Sequence, residues 1–243
     1  MHVIKPNYEI INEPDWDAVI ISLEKAIRTC YKSEKKIDAG TADKLIRSII
    51  SRGHESTLEH ASMSVRFVCD RGVSHEMVRH RLCSFSQEST RYVNYSPEGK
   101  NNEGDMQFIL PPWLDGTQTE GRYHLAHFDG WEVKRPEHIW LQSMIEANRA
   151  YILLIEQGWK PEQARSVLPN SLKTEIVVTT NMRDWRHIFH LRCDKTAHPQ
   201  MRELMLPLYC ELRKKCPALF DSVKFLVADD QMAYWNKQVY TEV

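Results

Sequence analysis

The chain has 243 residues, 42% of them hydrophobic and 27% charged, with a formal net charge of -1 and an isoelectric point near 6.8. That is enough apolar material for the core of one large domain, and the near-neutral balance argues against a dedicated nucleic-acid binder. No apolar run is long enough to span a bilayer, and the six scattered cysteines form no Cys-x-x-Cys pair, which argues against a disulfide scaffold or a zinc ribbon.

The segment Met1-His2-Val3-Ile4-Lys5-Pro6 lacks the apolar core of a signal peptide, so the expected compartment is a reducing cytoplasm. Trp16, Val19, Ile20, Leu23, Ala26, Ile27 and Cys30 recur at helical spacing and predict an amphipathic helix over 15–31. Leu45, Ile46, Ile49 and Ile50 predict a second helix, with Thr41 as N-cap and Gly53 as its stop. Ser56 and Glu59 have capping-box spacing and predict a short helical turn. Met63, Val65, Phe67 and Cys69 alternate with Ser64 and Arg66, the pattern of a half-buried strand. Ser74 is a candidate cap for a helix running through Val78.

Residues 96–136 carry loop signals at 97–104 and 115–117 around a short apolar piece, Phe108–Leu110, and read as a surface excursion. A long helix is expected over 137–157, with Met144, Ala147, Tyr151, Leu154 and Ile155 inward and Gly158 at its end. A short helix at 161–167, a strand at 174–180 and a helix at 182–192 follow. A last helix starts near Pro199, with Pro207 expected to kink it. The expected class is α+β, helix-rich with one sheet, in a single domain over residues 1–243.

The common phosphate cradles are missing: there is no Gly-x-Gly-x-x-Gly and no P-loop. His54-Glu55 and His60 do not make a zinc helix, because six residues turn His60 roughly 240° from His54. No metal is therefore expected. No Gly-x-Ser-x-Gly elbow surrounds Ser89.

The densest chemistry lies at Arg79–Tyr92, where Arg79, His80, Arg81, Ser84, Ser86, Ser89, Arg91 and Tyr92 fall within one short segment. Guanidinium groups match phosphate bidentately, so the segment reads as a phosphate-ester site; the plainer alternative is a solvated basic face. Arg183 and His187 share one helical face at i and i+4.

Arg79-His80-Arg81, seven residues, then Ser89, followed by Arg91-Tyr92, resembles the signature of the flavin-dependent thymidylate synthases. Gly53-His54-Glu55-Ser56, the run Gly158, Glu162, Ala164, Arg165, Val167, Leu168 and Pro169, and the stretch Asn181 to Arg192 resemble further segments of that family in the same order. The resemblance implies helices packed around a central, mostly antiparallel sheet. It implies conversion of dUMP to dTMP, with methylenetetrahydrofolate as carbon donor, NADPH as reductant and bound FAD as hydride carrier, releasing tetrahydrofolate. It implies a homotetramer with shared active sites, and no nucleic-acid or membrane partner.

By the same resemblance, Glu76, Arg79, Gln87, Ser89, Arg91, Arg165 and Arg192 contact dUMP, and Arg192 is the catalytic residue that stabilises the ionised N3 edge of the pyrimidine. His54, Ser56, Arg79, His80, Arg81, Gln87, Asn181 and His187 contact FAD, with His54 in a positioning role. Many relatives carry glutamate where Gln87 stands. The family uses no cysteine nucleophile, so Cys83 is not expected to attack the pyrimidine. Glu88 either points outward or pairs with an arginine. Two other readings are a nucleic-acid-binding module built on the 79–91 arginines and a flavin-binding relative without catalysis. The first lacks the aromatic interleaving of a stacking platform, and Arg165 with Arg192 disfavours the second.

Overall fold

The structure, a computed structural model, describes residues 1–99, 106–114, 121–122 and 135–229. It is mixed helix and sheet. In chain order the strands are β1 (His2–Ile4), β2 (Asn7–Ile10), β3 (Ser62–Asp70), β4 (Ser84–Gln87), β5 (Gln107–Ile109), β6 (Gly121–Arg122) and β7 (Lys173–Asn181). The helices are α1 (Trp16–Tyr31), α2 (Thr41–Ser51), α3 (Arg71–Met77), α4 (Pro136–Glu156), α5 (Pro161–Ala164), α6 (Met182–Arg192), α7 (Pro199–Lys215) and α8 (Pro217–Phe220). The strands form a three-stranded sheet in the order β5-β1-β6 and a four-stranded sheet in the order β2-β3-β7-β4. β1 runs parallel to β5 and antiparallel to β6.

The chain divides into two compact units. The first comprises Met1–Asn7, Phe67–Arg79 and the described residues of Ser86–Ile176. Its core gathers Val3 from β1, Phe108 from β5, Leu141, Met144, Ile145 and Tyr151 from α4, and Leu172. The apolar piece Phe108–Leu110 is thus a strand and its continuation, held by the Leu110 N–H to Ile4 carbonyl bond at 2.9 Å, and not part of a surface excursion. Most of the remaining 96–136 stretch lies outside the described residues.

The second unit comprises Tyr8–Arg66, His80–Phe85 and residues 177–229. The apolar stripe of α1 buries Leu23 and Ile27, and that of α2 buries Ile46 and Ile49. Trp185 and Phe189 on α6 are fully buried and stack with centroids 5.7 Å apart, and Phe189 meets Tyr209 and Phe220 edge-on. Such pairs contribute about 0.5–1.5 kcal/mol each beyond area burial.

Several helix starts differ from the sequence expectation. Gly40, in the left-handed region at φ 76, occupies the cap of α2, and Thr41 is the first helical residue, its hydroxyl donating to Glu24 Oε1 at 2.7 Å. Asp70, not Ser74, caps α3, accepting from the Val73 N–H at 2.6 Å. The turn at Glu55–His60 is a 3-10 helix with no side-chain cap bond from Ser56. Helix α7 continues through Pro207.

Candidate active site

In the first unit, Ser89 and Arg91 of the signature sit on a turn leaving β4. Ser89 Oγ accepts from the Arg91 N–H at 3.3 Å, and the Ser89 carbonyl accepts from the Tyr92 and Val93 N–H groups at 3.1 and 3.0 Å. The exposed Arg91 guanidinium lies over the Tyr92 ring, 5.1 Å from its centroid. Arg165, arriving from the 3-10 turn Arg165–Val167, donates to Thr90 Oγ1 at 3.3 Å. A cleft of about 430 Å³ is lined by Arg165, Thr90, Arg71, His75, Ser166 and Asn170, among others. The Arg165 guanidinium, two hydroxyls and an amide on one cleft suit a phosphate ester. No sequence motif marks Arg71, His75 or Thr90, and only the fold brings them beside Arg165.

Glu76 is half-buried on α3, and its carbonyl accepts from the N–H of the exposed Arg79 at 3.2 Å. Gln87 points into the protein, with Nε2 donating to Ser74 Oγ at 2.8 Å and to Thr174 Oγ1 at 3.2 Å. Glu88 neither points outward nor pairs with an arginine side chain. Its Oε1 accepts from Tyr95 Oη at 2.7 Å and its Oε2 from Lys173 Nζ at 3.2 Å. Burial, reinforced by this carboxylate, raises the Tyr95 phenol above its ordinary range.

In the second unit, a cleft of about 600 Å³ is lined by Asn181, Arg183, His187, Leu82, Glu55 and Val223, among others. Arg183 and His187 therefore do share a cleft, as their spacing on α6 suggests, and Arg183 is paired with Glu59 at 2.6 Å. Asn181 caps α6, its Oδ1 accepting from the Asp184 N–H at 2.9 Å, so the group it can offer a ligand is its amide nitrogen. His80 meets His187 edge-on at 6.2 Å, and its Nε2 accepts from Arg192 Nε at 2.9 Å. An accepting Nε2 requires the neutral ring with its proton on Nδ1. Burial, then the Arg192 charge, pushes the His80 pKa down from 6.5 to about 4, which keeps that ring neutral.

The unfolded chain takes up this proton first, so the contribution of neutral His80 to stability is full above pH about 6.5 and is lost as pH falls toward about 4. A His80→Gln variant should lose less stability than the parent over that window, as read by urea unfolding at successive pH values.

His54, Ser56 and Arg81 are exposed and do not line this cleft. His54 Nδ1 instead meets Tyr31 Oη at 3.2 Å. Cys83 Sγ donates to Asp184 Oδ2 at 3.1 Å, beside Thr180 Oγ1, which donates to the same oxygen at 3.0 Å. Burial and this carboxylate push the thiol up to about 12, so it stays protonated and is a poor nucleophile. Cys83→Ala should keep kcat within about twofold and lower stability by about 1 kcal/mol for the lost bond. Steady-state turnover and urea unfolding check both.

Among the described residues, no group of three or more His, Cys, Asp or Glu side chains is placed to hold a metal ion, and no helix is long and apolar enough to cross a membrane.

The family model "Thymidylate synthase complementing protein" (Thy1) matches residues 16–218. The chain is 35% identical over 218 residues to a flavin-dependent thymidylate synthase of Mycobacterium sp. (strain KMS), covering 86% of this chain and 81% of that protein. It is 30% identical over 214 residues to the Geobacter sulfurreducens protein of the same name, covering 85% and 82%. Among solved structures, the UMP/dUMP methylase PolB from Streptomyces cacaoi, bound with 5-Br dUMP, superposes with a TM-score of 0.68 at 23% identity, over 91% of this chain and 96% of that one. With matches over most of its length, the chain belongs to the Thy1 family of thymidylate synthase complementing proteins.

Proposed function

We propose that this protein is a flavin-dependent thymidylate synthase, a methyltransferase that reductively methylates dUMP to dTMP. Methylenetetrahydrofolate donates the carbon, NADPH is the reductant, and tetrahydrofolate is released. The enzyme works as a cytoplasmic homotetramer with shared active sites. Its single domain has the fold of its family, with helices around a central, mostly antiparallel sheet. Family membership supports the reaction. The observation that carries the site is the Arg192 guanidinium, oriented by a neutral His80 through the 2.9 Å Nε–Nε2 bond.

The residues present fit FAD. The second unit's cleft combines hydrogen-bonding groups on Asn181 and His187 with the apolar Leu82, which is 79% exposed and offers a face to a planar ring. Asn181, His187 and His80 hold the cofactor, with Arg79, Arg81, Ser56 and His54 as further contacts. Bound FAD supplies hydride-carrying chemistry.

This chain's own residues bind and polarise the nucleotide. Ser89, Arg91 and Arg165 hold the phosphate through charge-assisted bonds, and Glu76, Arg79 and Gln87 complete the nucleotide site. Arg192 faces the N3 edge of the pyrimidine. It stabilises negative charge that develops there, and it suits the task because a guanidinium does not deprotonate.

Purified protein should be yellow, bleach with NADPH, recolour in air, and form dTMP from dUMP and methylenetetrahydrofolate. A colourless protein that shifts labelled RNA would support the nucleic-acid reading instead. A yellow protein that never converts dUMP would support a non-catalytic relative.

A further inference from the structure

We propose that Arg71 is a positioning residue for the nucleotide phosphate, acting by presetting the Glu88–Arg91 turn. The inference rests on the functional reading above.

Arg71 opens α3 and is anchored at both ends. Its backbone N–H donates to the Asn170 carbonyl at 2.8 Å, five residues beyond Arg165. Its Nη1 donates to the Glu88 carbonyl and to Thr174 Oγ1, both at 3.4 Å. Thr174 is fully buried and also accepts from Gln87 Nε2 at 3.2 Å. Gln87 Nε2 donates in addition to the buried Ser74 Oγ at 2.8 Å, and Ser74 Oγ donates to the Arg71 carbonyl at 2.9 Å.

These bonds close a ring: Arg71 carbonyl, Ser74, Gln87, Thr174 and back to the Arg71 guanidinium. The ring also fixes the Gln87 amide. Ser74 spends its one hydrogen on the Arg71 carbonyl, so it can only accept from Gln87, and the amide nitrogen must face it. A charged clasp therefore grips the chain at Gln87 and at the Glu88 carbonyl, just before Ser89. On the other side of Ser89, Arg165 grips Thr90. The turn that carries Ser89 and Arg91 is held from both flanks before any phosphate arrives. Preorganisation of this kind lowers the ordering cost of binding and leaves the chemical step alone.

The test uses the FAD-loaded enzyme. Arg71→Met keeps the side chain's length and removes its donors. It should weaken dUMP binding about tenfold, the scale of one lost charged hydrogen bond, with kcat within about twofold and the flavin absorbance per chain unchanged. Arg71→Lys, which keeps the charge but not the fork, should recover part of that loss.

Unchanged dUMP affinity in Arg71→Met overturns the proposal. So does a parallel fall in kcat and flavin content, which would mark a general structural role. If Arg71→Met does not fold, Thr174→Val removes one acceptor of the clasp and decides in the same way, with a loss in dUMP affinity of about threefold expected. Parent enzyme that binds no dUMP overturns the functional reading; parent enzyme that binds it as tightly as the variants do overturns this inference alone.

Discussion

Arg192→Ala should lower kcat by about 10²–10³, with flavin content unchanged and dUMP KM raised by less than about tenfold. In the proposed reaction, negative charge grows on the pyrimidine edge only as the ring is activated. A donor aimed at that edge therefore contributes mainly to the transition state, and its loss appears in kcat. His80 explains why Arg192 in particular fits the role. By accepting at Nε, the neutral ring fixes the plane of the guanidinium, so its orientation is set before substrate arrives. Arg192→Lys keeps a charge but has no fork to orient, and should recover less than about tenfold of the loss. His80→Leu leaves the guanidinium in place but removes this bond, and should lower kcat by about tenfold, a single hydrogen bond to a charged group. Single-turnover dTMP formation with FAD-loaded protein reads all three. Arg192→Ala enzyme that turns over at the parent rate would remove Arg192 from the chemistry.

The long periodic elements were legible in the sequence, and the short ones were not. Helix α6 spans the expected 182–192, and β3 and β7 show the expected alternation. Their patterns persist over nine residues or more, long enough for burial to set the register. Strands β1, β2, β4 and β5 are only three or four residues long, too short for a periodic pattern to mark them. β4 lies inside the basic signature, where Ser84-Phe85-Ser86-Gln87 offers a single apolar residue and the charges dominate the reading. Strand pairing supplies the rest of its stability, and that is a long-range property. The site behaves in the same way. Its arginines stand out by type, but their partners, Thr90 for Arg165 and His80 for Arg192, do not, and neither does Lys173, which holds Glu88 across 85 residues.

The largest expected effect on stability falls on Arg186, a residue outside the proposed chemistry. Its side chain is almost wholly buried and clasps Glu55 with two bonds, Nε to Oε2 at 3.4 Å and Nη2 to Oε1 at 3.2 Å. Its Nη1 also donates to the Leu219 carbonyl and to Ser222 Oγ. One guanidinium thus ties α6 to the Glu55–His60 turn and to the end of α8. Removing it strands a carboxylate and a carbonyl together, which is worse than never having had the pair. Arg186→Ala should destabilise the protein by about 3–5 kcal/mol. Glu55 keeps a quarter of its side-chain exposure, so water relieves part of that penalty and places the expected loss toward the lower end. Glu55→Gln/Arg186→Met removes both charges while keeping the volumes, and should recover part of the stability, because a buried pair and an apolar replacement are often close in energy. Arg186, Glu55 and Ser222 also line the larger cleft, so Arg186→Ala should retain less flavin through purification than the double variant. Urea unfolding and absorbance at the flavin band separate the two effects. A double variant less stable than Arg186→Ala would show that the clasp contributes through packing, with the charge pairing secondary.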